Sequence, residues 1–245
     1  MINKFLLAVQ FITTIPVRIE LDYSEQEVAA SMLFYPLLGT LLGLVLAGVN
    51  YVGQLFLPPL VNGCLIVVIL VLLSGGIHLD GLMDSCDGLF SGRGKERILE
   101  IMRDSRAGTF GVLAAVLVLL LKFSLIVELP GPYQFRSLLF FPAAGRWAMV
   151  YAACFHPYAR KEGMGKVYAK NIERRHFIIA TIWTLLLAVL LFGLQALIIS
   201  LFSWFTLVLL IKGIKVKIAG LTGDSYGAIN EIMETAVLMI ITILL

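Results

Sequence analysis

The chain has 245 residues, 60% hydrophobic and only 14% charged, with a mean hydropathy of +0.95 and a formal net charge of +3. That composition excludes a soluble globular domain, and nothing in it asks for a nucleic-acid partner. Cys64, Cys86 and Cys154 are scattered without paired spacing, so neither a disulfide framework nor a zinc site follows.

Residues 1–16, MINKFLLAVQFITTIP, contain one basic residue, a short apolar run and a proline, but no small-residue cleavage site. A short helix at the membrane interface is expected there, not a cleaved signal peptide. A polar connection over 17–31 leads into span one, Met32 to Phe56, with Pro36 and several glycines, which membrane helices tolerate. The stretch from Val28 to Ile77 is uncharged and long enough to cross a bilayer about twice at roughly 20 residues per span. Pro58-Pro59 marks its turn, and span two is predicted to run from about Leu60 into the acidic sequence GGIHLDGLMDSCDG, residues 75–88. Ser91 to Ala107 is a charged connection with a short helix; span three, Gly108 to Val127, contains Lys122, and span four, Arg136 to Phe155, contains Arg146. His156 to His176 is a second basic connection, Phe177 to Ile211 folds as two spans turning near Gly193 to Gln195, and Lys212 to Gly223 leads to a last span from about Asp224. The expected fold is all-α: residues 1–245 as a single polytopic bundle in the lipid bilayer, with about seven transmembrane helices plus a short N-terminal interfacial helix.

Basic residues orient this layout. The connection 91–107 carries Arg93, Lys95, Arg97, Arg103 and Arg106; 156–176 carries Arg160, Lys161, Lys166, Lys170, Arg174 and Arg175; 212–223 carries Lys212, Lys215 and Lys217. The turns at 57–60 and 193–196 have none, and 128–136 only Arg136. The positive-inside rule puts the N-terminus and the three basic connections in the cytoplasm.

The acidic sequence carries the strongest chemical signal. In a helix, Asp80, Asp84 and Asp87 stand at i, i+4 and i+7 and project from one face. Three acids so close repel one another unless a cation sits among them. Mg²⁺ suits this set, because it takes carboxylate oxygens and shares its other positions with water and substrate phosphates. The plainer alternative, a polar helix end in water, accounts poorly for three aligned acids after an apolar run. Cys86 lies among them, but a soft thiol suits neither Mg²⁺ nor Ca²⁺, and packing is its expected role.

Farther along, MRDSRAGTFG sets Asp104 between Arg103 and Ser105-Arg106 before span three, either as a phosphate site or as a solvated basic flank. Asp224 and Glu231, with Asn230 and Glu234, form a polar patch on the opening turns of the last span. Asp224 could complete the metal site, cap the helix, or do both. Arg146 is expected to face the bundle interior as counter-charge to a buried acid or substrate anion, whereas Lys122 could snorkel instead. His78 is open between a substrate hydrogen bond and an interfacial position. Carboxylates for Mg²⁺ and arginines near a helix start together suggest phosphoryl or phosphonucleotidyl transfer, with the substrate left open.

At these residues the chain closely resembles the cobalamin synthase family, adenosylcobinamide-GDP ribazoletransferases. The likeness runs through FITTIP, YPLLGTLLG, GGIHLDGLMDSCDG, ERILEIMRDSRAGTFGVLA, FPAAGRWAMV, HPYARKEGMG and GLTGDSYGAINE. The central motif is also similar to the CDP-alcohol phosphotransferase signature, without its glycine and arginine spacing, an analogy that extends to metal chemistry alone. The family resemblance implies that adenosylcobinamide-GDP and α-ribazole, or its 5′-phosphate, give adenosylcobalamin, or its 5′-phosphate, and GMP, with Mg²⁺. Asp80, Asp84 and Asp87 would then hold metal with Asp104 or Asp224 assisting, one uncoordinated carboxylate acting as general base. Arg103, Arg106 and Lys95 would hold pyrophosphate, and His78, Ser105, Arg146, Asn230 and Glu231 complete the expected substrate contacts. Gly39, Gly43, Gly48, Gly108 and Gly111 either leave room for the corrinoid or pack helices closely, and such glycine faces also permit a homo-oligomer. The competing class is a cation-coupled transporter, but no internal repeat is found and the acids cluster at one side.

Overall fold

The computed structural model describes residues 1–245 as twelve α-helices and no sheet. In chain order they are α1 (Ile2–Ile12), α2 (Glu25–Ser31), α3 (Tyr35–Gly53), α4 (Pro59–Ser74), α5 (Ile77–Leu89) and α6 (Lys95–Ile101). There follow α7 (Thr109–Glu128), α8 (Gly131–Phe155), α9 (Met164–Asn171), α10 (Arg174–Phe192), α11 (Gln195–Ile218) and α12 (Gly223–Ile243). Six helical stretches are long and apolar enough to cross a membrane, and the bent pair α4–α5 raises the count to seven. The first of these is longer than expected: α2, a 3-10 turn at Met32–Phe34 and α3 make one stretch, Glu25–Gly53. Prolines in the first turns of α3, α4 and α8 place helix starts where their missing N–H groups cost no hydrogen bond. The basic connection 156–176 contains α9, and α11 continues to Ile218, so Lys212, Lys215 and Lys217 ride on its last turns, where they complement the helix dipole.

One departure from the sequence expectation shapes everything else. Span two does not run on into the acidic face. Gly75 and Gly76 both adopt left-handed φ, +65° and +69°, and their N–H groups return to the carbonyls of Leu72 and Val71. That double return is a Schellman closure, which glycine permits because it has no Cβ to clash. The chain turns by 89°, and α5 leaves as a separate helix across the basic-side ends of α7 and α12.

Two apolar clusters fill the interior. One gathers α1, α2, the ends of α8 and α11 and the start of α12 through Leu7, Met32, Val150, Ile214 and Ile229. The other gathers the opposite ends of the spans through Leu46, Ile66, Ile126, Phe141 and Leu238. Close packing of α3 on α8 joins the two halves. A Cβ on Gly39 would stand 2.5 Å from the Pro142 carbonyl oxygen, and one on Gly43 2.8 Å from Leu139 Cα, whereas Gly48 faces open space. These glycines therefore serve helix packing, with no room left for a ligand at the first two. Gly39→Ala and Gly43→Ala are each expected to destabilise the bundle by about 1–3 kcal/mol through overpacking. Gly48→Ala is the control. Thermal unfolding in detergent should separate the three, and equal behaviour would contradict this packing.

Candidate active site

Two glycines bring α5 and α12 into backbone contact. A Cβ on Gly81 would meet the Asp224 carbonyl oxygen at 2.7 Å, and one on Gly227 the His78 carbonyl oxygen at 3.0 Å. Asp224 does not cap α12. That role belongs to Thr222, whose Oγ1 accepts from the Ser225 N–H at 3.1 Å while Ser225 Oγ accepts from the Thr222 N–H at 3.2 Å. Asp224 is thus free to project toward α5, and its Oδ2 meets Arg160 Nη2 at 2.7 Å. Arg160 is held there by a backbone clasp: Ala159 N–H donates to Leu221 at 2.7 Å and Leu221 N–H to Pro157 at 2.9 Å.

The three acids of α5 share a face as their spacing requires, yet packing gives them different surroundings. Asp80 is exposed. Asp84 is half-buried and lies within Coulombic range of Asp80, Asp224, Arg160 and Asp87. Asp87 accepts the N–H of Gly108 at 2.7 Å and of Gly111 at 2.8 Å, satisfying two of the free N–H groups at the start of α7. Each of its oxygens accepts one N–H, and any Cβ at Gly108 or Gly111 would collide with that carboxylate. Asp87→Ala should therefore lower stability by about 1–2 kcal/mol, the size of a lost helix cap, read as a drop in melting temperature. An unchanged melting temperature would release Asp87 from this capping role. No three His, Cys, Asp or Glu side chains stand close enough together to hold a metal ion by themselves.

Two concavities meet at the Asp224–Arg160 pair. On one side, a cavity of about 310 Å³ is lined by Asp80, Asp224, His78, Tyr226 and several apolar side chains. On the other, a surface groove of about 380 Å³ runs between α6 and the 159–161 segment, lined by Lys95, Arg103, Arg160 and Lys161 together with the acids Glu96 and Glu100, the latter paired to Arg97. Carboxylates at one end and, at the other, four basic groups that outnumber Glu96 and Glu100 suit a substrate that carries both metal-seeking and guanidinium-seeking phosphate oxygens. Residues 4–242 match the sequence model of the family described as cobalamin-5-phosphate synthase. The chain belongs to that family.

Curated relatives agree along the whole length. A protein of Desulforamulus reducens named adenosylcobinamide-GDP ribazoletransferase is 39% identical, the match covering 98% of this chain and 96% of the relative. Proteins of the same name from Acetivibrio thermocellus and Clostridium acetobutylicum are 35% and 37% identical over 98% and 97% of this chain, and 97% and 94% of their own. No solved structure matches the chain. Membership of the cobalamin-5-phosphate synthase family, with the membrane helices, makes this a membrane transferase of cobalamin biosynthesis.

Within this family member the remaining expected residues separate into groups. Asp104 pairs with its neighbour Arg106, Nη2 to Oδ2 at 2.6 Å, at the protein surface. Side-chain and backbone hydrogen bonds from Arg106 hold the Asp104 carboxyl down to about 2, so it stays ionised and is a poor proton acceptor. Ser105 is exposed in the same turn. Arg103 and Lys95, by contrast, line the basic groove.

Arg146, Asn230 and Glu231 lie deeper, fully enclosed, and are engaged with one another through Glu234 and Lys122. Lys122 Nζ reaches Glu231 at 2.7 Å and Glu234 at 2.5 Å, Arg146 Nη1 reaches Glu234 at 2.8 Å, and Asn230 Nδ2 donates to Glu234 at 3.1 Å. Lys122 does not snorkel; it is 1% exposed and pairs inward. Two acids and two bases cancel, as charges within a membrane must. The network ties α7, α8 and α12 together and lies within Coulombic range of His78.

Sequence reasoning missed Arg160 and Tyr226 as site residues. Arg160 stands in a run of basic residues that reads as topology, and Tyr226 is one aromatic in a membrane helix. Both lie inside HPYARKEGMG and GLTGDSYGAINE, whose paired glycines were the available signal: Gly165 leaves no space for a Cβ against Gly223, with N only 2.9 Å away.

Proposed function

We propose that this chain joins adenosylcobinamide-GDP to α-ribazole, or to α-ribazole 5′-phosphate, releasing GMP, in a Mg²⁺-dependent phosphoryl-type transfer at the cytoplasmic face of the bacterial inner membrane. The observation that carries this reading is the meeting of Asp80, Asp84 and Asp224, from two helices, with Arg160 and the Lys95–Arg103–Lys161 groove in a member of this family. The donor set fits Mg²⁺: it is all carboxylate oxygen, and with fewer than three protein ligands in register, water and substrate phosphates would supply the remainder. Asp84 and Asp224 would hold the cation, with Asp80 adjoining. When bound, it would neutralise phosphate oxygens and render phosphorus more electrophilic.

The chain's own groups account for the rest. Lys95, Arg103, Arg160 and Lys161 would bind the pyrophosphate oxygens, and Arg160 adds charge stabilisation as the bridging oxygen departs with GMP. A ribose hydroxyl of α-ribazole attacks the cobinamide-linked phosphorus; the new P–O bond forms as the bond to GMP breaks, and the hydroxyl proton passes to a carboxylate. Asp80, exposed at the cavity wall, would accept it. Ion transport is the weaker reading, because the intramembrane acids Glu231 and Glu234 are already neutralised by Lys122 and Arg146. Purified protein in liposomes should form GMP and adenosylcobalamin in equal amounts from the two substrates only when Mg²⁺ is present. Absence of product from folded protein, or identical rates in chelator, would overturn the proposal.

A further inference from the structure

The cavity of about 310 Å³ beside the acids has a divided lining. Asp80 and Asp224 stand at its edge, while Phe11, Ile12, Met149 and Met164 give it apolar walls. Tyr35 and Tyr168 add aromatic edges, locked to each other by a 3.1 Å hydrogen bond between their hydroxyls and by a T-shaped ring contact at 6.3 Å. Two of the lining residues carry a polar atom with no partner. The Tyr226 hydroxyl and His78 Nδ1 are buried without a hydrogen bond, although their residues are only 3% exposed. An unsatisfied buried donor or acceptor is costly unless something arrives to meet it.

Resting on the function proposed above, we infer that this cavity is the subsite for the aromatic base of the incoming nucleoside, not for any part of the corrinoid or the guanine nucleotide. Size makes the first distinction. About 300 Å³ is the lower end of ligand-site volumes and suits a nucleoside, whereas a corrin ring far exceeds it. Chemistry makes the second. The base of α-ribazole is a flat bicycle with two methyl groups and a single free ring nitrogen, an acceptor. It matches apolar and aromatic walls with one donor, which the Tyr226 O–H supplies, and His78 beside it in whichever tautomer puts a proton on Nδ1. Guanine could meet a carboxylate only at Asp80 or Asp224, the end the reacting ribose needs, and would leave its other polar edges among Ile12, Met149 and Met164. The ribose then extends toward Asp80 and Asp224, where its hydroxyl must react. The cobinamide diphosphate approaches from the opposite side, along the basic groove.

Steady-state kinetics with each substrate varied in turn tests this assignment. Tyr226→Phe is expected to raise KM for α-ribazole about tenfold, the size of one lost buried hydrogen bond, with KM for adenosylcobinamide-GDP unchanged. Met164→Ala, which widens the apolar wall, should improve the relative kcat/KM of a ribazole analogue bearing a bulkier base. A KM change confined to adenosylcobinamide-GDP would overturn the assignment, as would equal effects on both substrates in folded Tyr226→Phe protein. Equilibrium binding of α-ribazole alone, followed by protein fluorescence in detergent, gives a check that needs no turnover. Binding should weaken in Tyr226→Phe; unaltered binding would also overturn the assignment. Wild-type protein that makes no product but binds α-ribazole in a Tyr226-dependent manner would sink the proposed reaction and leave the subsite standing.

Discussion

Asp84→Asn should lower Mg²⁺-dependent GMP release by about 10²–10³-fold, the range seen when one charge-stabilising group is removed from an active site. Shape is retained by this change, and charge is lost. Asp84 stands half-buried among Asp80, Asp224 and Asp87, with Arg160 as the one basic group in their midst, already paired to Asp224. Removing its charge relieves repulsion in the metal-free protein, so the melting temperature should hold or rise while activity falls. A loss of activity with a gain in stability is the signature of a site whose groups are arranged for function against folding energetics. Full turnover in this variant would take the α5 acids out of the chemistry. Loss of the fold would instead assign Asp84 a structural task like that of Asp87.

Lys122→Met should be among the most damaging single substitutions for stability, about 3–5 kcal/mol, because it strands a buried carboxylate. Lys122 bridges Glu231 and Glu234, and Arg146 reaches only Glu234, so its loss leaves Glu231 charged and unpaired inside the bundle. Adding Glu231→Gln to Lys122→Met restores neutrality and should recover most of the lost stability. Thermal unfolding in detergent, with gel filtration to count folded protein, reads both variants. A harmless Lys122→Met, or a double variant no better than the single, would mean that the network is not held by charge pairing.

The contrast between Lys122 and Asp87 shows where a one-dimensional reading stops. Lys122 reads as an isolated cation in a span because its acids sit on α12, more than a hundred positions away in the chain. Asp87 reads as the third member of a metal-binding face, and its register on α5 is as expected. Its role is decided by α7, whose first N–H groups come to rest against it. Asp224 shows the reverse case: a plausible helix cap by position, it is relieved of that task by Thr222 and turned toward Arg160.

By itself the sequence determined the all-α membrane architecture, the i, i+4, i+7 alignment of Asp80, Asp84 and Asp87, and the family, because hydropathy and helical period are local properties. Only the tertiary structure decided that α4 and α5 part at Gly75-Gly76, that Arg160 faces Asp224, that four charges cancel inside the bundle, and that Tyr226 and His78, lining one cavity, each bury a polar atom without a partner. The physical reason is that a burial, an ion pair or an unmet hydrogen bond belongs to two or more segments at once, and no single segment carries the information about which partner packing will bring.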